Sequence, residues 1–217
     1  MDDRIAQREE AISGARAAQH RLIDDLSGLT DDQARSASLL PGWSVGHVLT
    51  HIARNADAFV RMLSAAIEGR SVTQYEGGTE GRAAGIEAGA ARPAAELVAD
   101  VRDSAARLEG VWAGMTPQAW DGHGYNSSGD EWPCDAMPFH RWREVAIHHV
   151  DLGLGYTAAD WPDAYVAREL AVGLRLLPER LDDADRRRLL TWLIGRSDQP
   201  TDLSLAAWQA RPDRYLR

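Results

Sequence analysis

One segment of the chain carries an acid and a histidine at a spacing that could hold a metal ion. Glu144 and His148 lie four residues apart, so a helix over residues 139–152 places their side chains on one face, one turn apart. They belong to a polar stripe that runs between two apolar faces of this helix. The stripe is either a site that faces the protein interior or a surface stripe with an ordinary i,i+4 pair. Its members are His140, Glu144, His148 and Asp151.

An earlier helix places a further histidine towards the interior. At about 100° per residue, the apolar side chains from Val45 to Ile67 form one arc, with Asn55 inside it and His51 at its edge. A core histidine that is satisfied by a hydrogen bond would show the same pattern. The opposite face is predicted to carry Thr50, Arg54, Asp57 and Arg61.

His51, Glu144 and His148 together form a set of two histidines and one carboxylate. This set is a standard ligand shell of catalytic zinc, which keeps one position open. The spacing differs from the HExxH pattern of metalloproteases, so peptide hydrolysis is not favoured. Asn55 and Asp151 follow one turn after His51 and His148, respectively. We expect both to line the cofactor pocket or to hydrogen-bond the ligands; a buried hydrogen bond and a helix-end charge are the alternatives.

Four long helices are predicted to position these side chains, which favours a four-helix bundle. Two connections are less regular: residues 69–89 are glycine-rich and form either a mobile loop or a broken helix. Residues 116–138 are predicted to form a long loop, with or without a short hairpin. The helices are predicted over residues 3–26, 44–68 with Ser44 as the cap, 93–114 and 139–152.

The sequence changes character after Gly155. We predict one domain over residues 1–158 and a small C-terminal unit over residues 159–217. The unit is expected to hold helices over residues 162–181 and 182–194, followed by one strand-like run, Leu203–Trp208.

Composition restricts the partners of the chain. It has 217 residues and a net charge of −9, and all 24 basic residues are arginine, so nucleic acid is not an expected partner.

No run approaches the roughly 20 apolar residues of a membrane helix, and the N-terminus lacks the apolar region of a secretory signal. The single cysteine, Cys134, excludes an internal disulfide and has no neighbour that would make it a nucleophile. We expect a cytoplasmic protein, monomeric or homodimeric, that acts on a small molecule.

Three motifs resemble those of the mycothiol-dependent maleylpyruvate isomerase family, part of the DinB-like superfamily of metal-binding four-helix bundles. They lie at residues 41–55, 143–153 and 192–196. The resemblance implies a mainly α fold: a DinB-like bundle with a small, shortened C-terminal α(+β) unit. The family's larger α/β C-terminal domain has several strands, for which the stretch between Leu181 and Arg187 is too short.

The resemblance also implies a chemistry. His51, Glu144 and His148 match the zinc ligands of the family, and Arg196 matches an active-site arginine, although an arginine at a helix end also complements the helix dipole. Mycothiol would bind zinc as a thiolate, add to a cis double bond conjugated to a ketone, and leave after the bond rotates. If the adduct is kept, the protein is a mycothiol S-transferase for electrophiles. A third reading is a metal-binding regulatory bundle without enzyme activity.

Overall fold

The computed structural model of the chain describes residues 3–196 and residue 203. The chain divides into two compact units, Met1–Trp161 and Pro162–Arg217. The boundary predicted from the sequence, after residue 158, falls in a short 3-10 helix, Ala158–Asp160, at the end of the first unit.

Four long helices form the core of the first unit, and all four agree with the sequence prediction. They are α1 (Asp3–Asp25), α3 (Val45–Ile67), α5 (Ala94–Gly114) and α7 (Met137–Asp151). Helix α3 packs against α5 and α7, and α1 packs against α7 and α5, which closes a four-helix bundle. A short helix, α2 (Asp31–Arg35), was not predicted; it follows a capping box at Thr30.

Helix α3 is specified by its cap and its apolar arc. Ser44 and His47 form a capping box, in which the Ser44 hydroxyl accepts from the His47 backbone N–H. Along the arc Val48, Ile52 and Phe59 are fully buried. Burial of this stripe stabilises both the helix and the packing that brings its interior face to α7.

The glycine-rich segment contains an ordered helix, α4 (Gly78–Ala90), which packs against α3. A Cβ atom on Gly46 would lie 2.1 Å from the carbonyl oxygen of Ala90, so only glycine permits this approach. Helix α4 also covers Thr50, because a Cβ on Gly89 would lie 2.5 Å from the Thr50 methyl group. The prediction that Thr50 faces outward is therefore wrong: it is 1% exposed.

The stretch after α5 is more ordered than a long loop. It contains a short helix, α6 (Pro117–Trp120), and a 3-10 helix, Cys134–Ala136, that leads into α7. Between them an antiparallel hairpin pairs β1 (His123–Tyr125) with β2 (Glu131–Pro133). Of the two predicted alternatives for this segment, with or without a short hairpin, the structure has the hairpin.

The second unit contains the two predicted helices. They are α8 (Asp163–Leu176), extended by a 3-10 turn over Leu177–Arg180, and α9 (Asp183–Leu193). The Asp182 carboxylate caps α9 by accepting from the Asp185 backbone N–H at 2.8 Å. The predicted strand-like run lies outside the described residues, apart from Leu203. Among the described helices, none is long and apolar enough to cross a membrane.

Candidate metal centre

The packing of α3 against α7 brings the three predicted ligand side chains together. Nε2 of His51 lies 3.0 Å from Oε2 of Glu144 and 3.1 Å from Nε2 of His148. Nε2 of His148 lies 3.5 Å from the same glutamate oxygen. Three potential ligand atoms thus form a small triangle, although His51 is more than ninety positions away from Glu144 and His148 in the sequence.

The dimensions of this triangle suit a divalent metal. Zinc bonds of about 2.0–2.1 Å in tetrahedral geometry place neighbouring ligand atoms about 3.3 Å apart. The three distances in the cluster, 3.0, 3.1 and 3.5 Å, lie around that value. Two imidazoles and one carboxylate are also donors that zinc accepts, and three of them leave a fourth position for another ligand.

The charges within the cluster follow from its burial. Burial lowers the pKa of His51 to about 4, although the hydrogen bond with Glu144 and its charge act to raise it. This ring is therefore neutral. Burial by itself would raise the pKa of Glu144, but the hydrogen bonds with His148 and His51 hold it well below the usual value. Burial would likewise lower the pKa of His148, yet its hydrogen bonds with Asp151 and Glu144 raise it to about 9. A metal at His148 would therefore displace a proton.

Asp151 lies directly behind His148. Its Oδ2 is 2.8 Å from Nδ1 of His148, the ring nitrogen that faces away from the triangle. The Asp151 backbone carbonyl accepts from the N–H of Leu39 at 2.8 Å, which fixes the end of α7. A carboxylate on the outer nitrogen of a metal-binding imidazole fixes the tautomer and the ring orientation.

Asn55 is buried one turn after His51 and is held by an arginine that the sequence did not single out. Nη1 of Arg141 donates to Oδ1 of Asn55 at 2.9 Å and to the carbonyl oxygen of Ile52 at 2.8 Å. Its Nε donates to Gln19 Oε1 at 2.8 Å. Arg141 is fully buried, and burial lowers its pKa to about 10. It therefore ties α7 to α1 and α3 beside the cluster.

Two more side chains were missed because they lie in the glycine-rich segment. Nη2 of Arg82 is 3.2 Å from Nδ1 of His51, and its guanidinium lies over the ring of Trp43 with 6.0 Å to the centroid. Tyr75 lies beside Arg82 and Asn55, and burial raises the pKa of its hydroxyl to about 12. A segment with few apolar residues shows no hydrophobic periodicity, so the sequence does not indicate which of its side chains face the site.

Three other residues of the first unit, His140, His47 and Cys134, do not join the cluster. His140 is buried against the ring of Trp132, with centroids 4.7 Å apart. His47 serves the cap of α3, and its Nε2 lies 3.3 Å from Glu87. Cys134 is fully buried, and burial raises the pKa of its thiol to about 12, as expected of an unreactive cysteine. Arg196 is exposed just after the end of α9 in the second unit, and its role stays a prediction.

Comparison with known proteins identifies relatives of the first unit. Residues 15–153, which include the whole cluster, match the family model of the mycothiol maleylpyruvate isomerase N-terminal domain. No functionally curated protein sequence matches the chain.

Solved structures with a similar fold extend this result. A mycothiol-dependent maleylpyruvate isomerase has a TM-score of 0.72 and 22% identity, over 94% of this chain and 95% of that chain. A histidine-to-alanine mutant of a protein with the same description has a TM-score of 0.72 and 26% identity, over 80% of this chain and 72% of that chain. YfiT from Bacillus subtilis, a four-helix bundle of unusual topology, has a TM-score of 0.55 and 16% identity, over 69% of this chain and 86% of that chain. These matches confirm the predicted four-helix-bundle fold.

Proposed function

Because the chain belongs to the mycothiol maleylpyruvate isomerase N-terminal domain family, we propose that it is a metal- and mycothiol-dependent cis–trans isomerase. Family membership makes it an enzyme of the isomerase type rather than a regulatory bundle. The proposed reaction is reversible addition of a thiolate to a conjugated double bond, with maleylpyruvate or a related cis-enone diacid as the substrate. The observation that carries the proposal is the triangle of His51, Glu144 and His148 inside the family-matched region.

We propose that this triangle holds one zinc ion. When bound, the metal would lower the pKa of an added thiol, so that the thiolate is available at neutral pH. His51 and His148 would offer their Nε2 atoms, and Glu144 would offer one carboxylate oxygen. The neutral state of His51 and the ionised state of Glu144 already suit this role.

The neighbours of the triangle are proposed to keep it in shape. Asp151 holds the outer nitrogen of His148 and so directs Nε2 towards the triangle. Asn55 presents its amide beside the site while Arg141 fixes its oxygen. The thiol must come from outside, because the only cysteine of the chain is buried and remains protonated.

Arg196 is proposed to bind a substrate carboxylate and to stabilise the negative charge that develops on oxygen during addition. A planar guanidinium suits this task because it offers two parallel N–H donors to a carboxylate. The cytoplasmic location, the division into domains at residue 158 and the monomeric or homodimeric state stay predictions.

The proposal is tested with zinc-loaded full-length protein, mycothiol and maleylpyruvate, with the products identified by proton NMR. We expect trans product with mycothiol regenerated, and loss of turnover without mycothiol or in His148→Ala. His20→Ala, an exposed histidine on α1, is the matched control and should keep full activity. Absence of turnover in the wild type would contradict the proposal. Accumulation of a stable thiol adduct would instead assign the protein as an S-transferase.

A further inference from the structure

Arg82 carries an unbalanced positive charge at the edge of the metal centre. Its guanidinium contacts the His51 ring, the Trp43 face and the Tyr75 hydroxyl, none of which is an anion. Within residues 3–196, no carboxylate forms an ion pair with it. By contrast, Arg54, Arg92 and Arg107 all pair with acids. A partly buried guanidinium without an acid is typical of a site whose anion comes from a ligand.

The contact between Arg82 and His51 cannot coexist with a metal on His51. Arginine has no hydrogen-bond acceptor, so Nδ1 of His51 accepts from Arg82 and the ring proton lies on Nε2, facing Glu144. An imidazole that gives its Nε2 lone pair to a metal carries its proton on Nδ1 instead. Nδ1 and the guanidinium would then both be donors, and their hydrogen bond is lost. Filling the triangle therefore frees the donors of Arg82 for another acceptor.

We propose that Arg82 binds a carboxylate of the substrate beside the metal centre. This inference rests on the proposed function and specifies its substrate class as a small conjugated oxo-dicarboxylate, with one carboxylate held by the bundle itself. The Tyr75 hydroxyl, which lies beside Arg82, supplies a second donor, a neutral one, for the same carboxylate. The Trp43 ring supports the flat face of the guanidinium and leaves its N–H edge available.

The test measures two affinities on the same zinc-loaded, full-length variants. The first is the Kd of maleate, a cis dicarboxylate probe, by calorimetry. The second is the Kd of zinc, by competition with a chromophoric chelator. Arg107→Gln is the matched control, because it removes one charge from an arginine that pairs with Asp57.

We expect Arg82→Gln to weaken maleate binding at least tenfold. Arg82→Lys should weaken it less, since lysine keeps the positive charge but lacks the two parallel N–H donors of the guanidinium. Zinc binding by Arg82→Gln should be equal to or tighter than that of the wild type, because a cation next to the metal has been removed. Arg107→Gln should change neither affinity. A weaker zinc affinity in Arg82→Gln would show that Arg82 only supports His51, and would overturn the inference. Unchanged maleate binding, or none in the wild type, would overturn it as well.

Failure of the proposed function is recognised separately. If the wild type lacks mycothiol-dependent turnover but binds maleate through Arg82, the isomerase assignment fails and the anion site stands. If turnover occurs and Arg82→Gln leaves both kcat/KM and maleate affinity unchanged, only the inference about Arg82 fails.

Discussion

Removing the charge of Asp151 should weaken metal binding without removing any ligand. Asp151 Oδ2 lies 2.8 Å from Nδ1 of His148, within the range of charge-assisted hydrogen bonds. The two side chains are only 19% and 18% exposed, so water replaces this contact poorly. The main-chain carbonyl of Asp151 keeps its bond to Leu39, so a side-chain change should leave the end of α7 in place.

The size of the effect follows from the hydrogen bond that each substitution leaves. Asp151→Asn still offers an oxygen to Nδ1 but loses the charge, a difference of about 1–1.5 kcal/mol between charged and neutral bonds. This corresponds to about a tenfold higher Kd for zinc. Asp151→Ala loses the whole contact, and the expected increase is up to about 100-fold, as for other carboxylates behind metal-bound histidines.

The measurement is zinc affinity by competition with a chromophoric chelator, with circular dichroism to confirm that each variant is folded. Asp24→Asn, on the exposed side of α1, is the matched control and should bind zinc like the wild type. If both Asp151 variants keep wild-type affinity, the carboxylate does not support His148 and the reasoning on this contact is refuted.

Four further outcomes are expected. His148→Ala should lose most of its zinc on dialysis against a chelator, measured by elemental analysis; full occupancy would remove it from the ligand set. Arg196→Ala should lower kcat/KM by roughly two or more orders of magnitude at unchanged zinc content, and Arg196→Lys should remain impaired; near-normal turnover would deny it a role. Cys134, with a pKa of about 12, should resist a thiol reagent between pH 7 and 9 until the protein is unfolded, and fast labelling of folded protein would contradict its burial. Gly46→Ala should lower the free energy of unfolding by about 1–3 kcal/mol through the clash with Ala90, whereas Gly110→Ala, with open space around it, should not; equal effects would disprove the close approach of α4.

The bundle and the metal triangle could be predicted because their signals are local. The apolar arc of α3 and the cap at Ser44 define which face of that helix is buried, and this places His51 inward. The i,i+4 spacing of Glu144 and His148 sets both on one face of α7. Once two such faces meet in a bundle, the three side chains have to converge.

Features that depend on tertiary packing could not be predicted. Thr50 is buried only because α4 covers it, and the fit of α4 depends on Gly46 and Gly89, which have no apolar side chain to signal a contact. Arg82 reaches the site from the same helix. The buried charge of Arg141 likewise depends on acceptors from α1 and α3 that no sequence window contains.

X-ray absorption at the zinc edge reports the atoms bound to the metal and therefore tests the three proposed ligands directly. Without thiol, we expect a shell of nitrogen and oxygen atoms at about 2.0–2.1 Å and no sulfur. Addition of mycothiol should replace one light atom by sulfur at about 2.3 Å in the wild type. A sulfur ligand before thiol is added, or none after it, would contradict an open metal site formed by His51, Glu144 and His148.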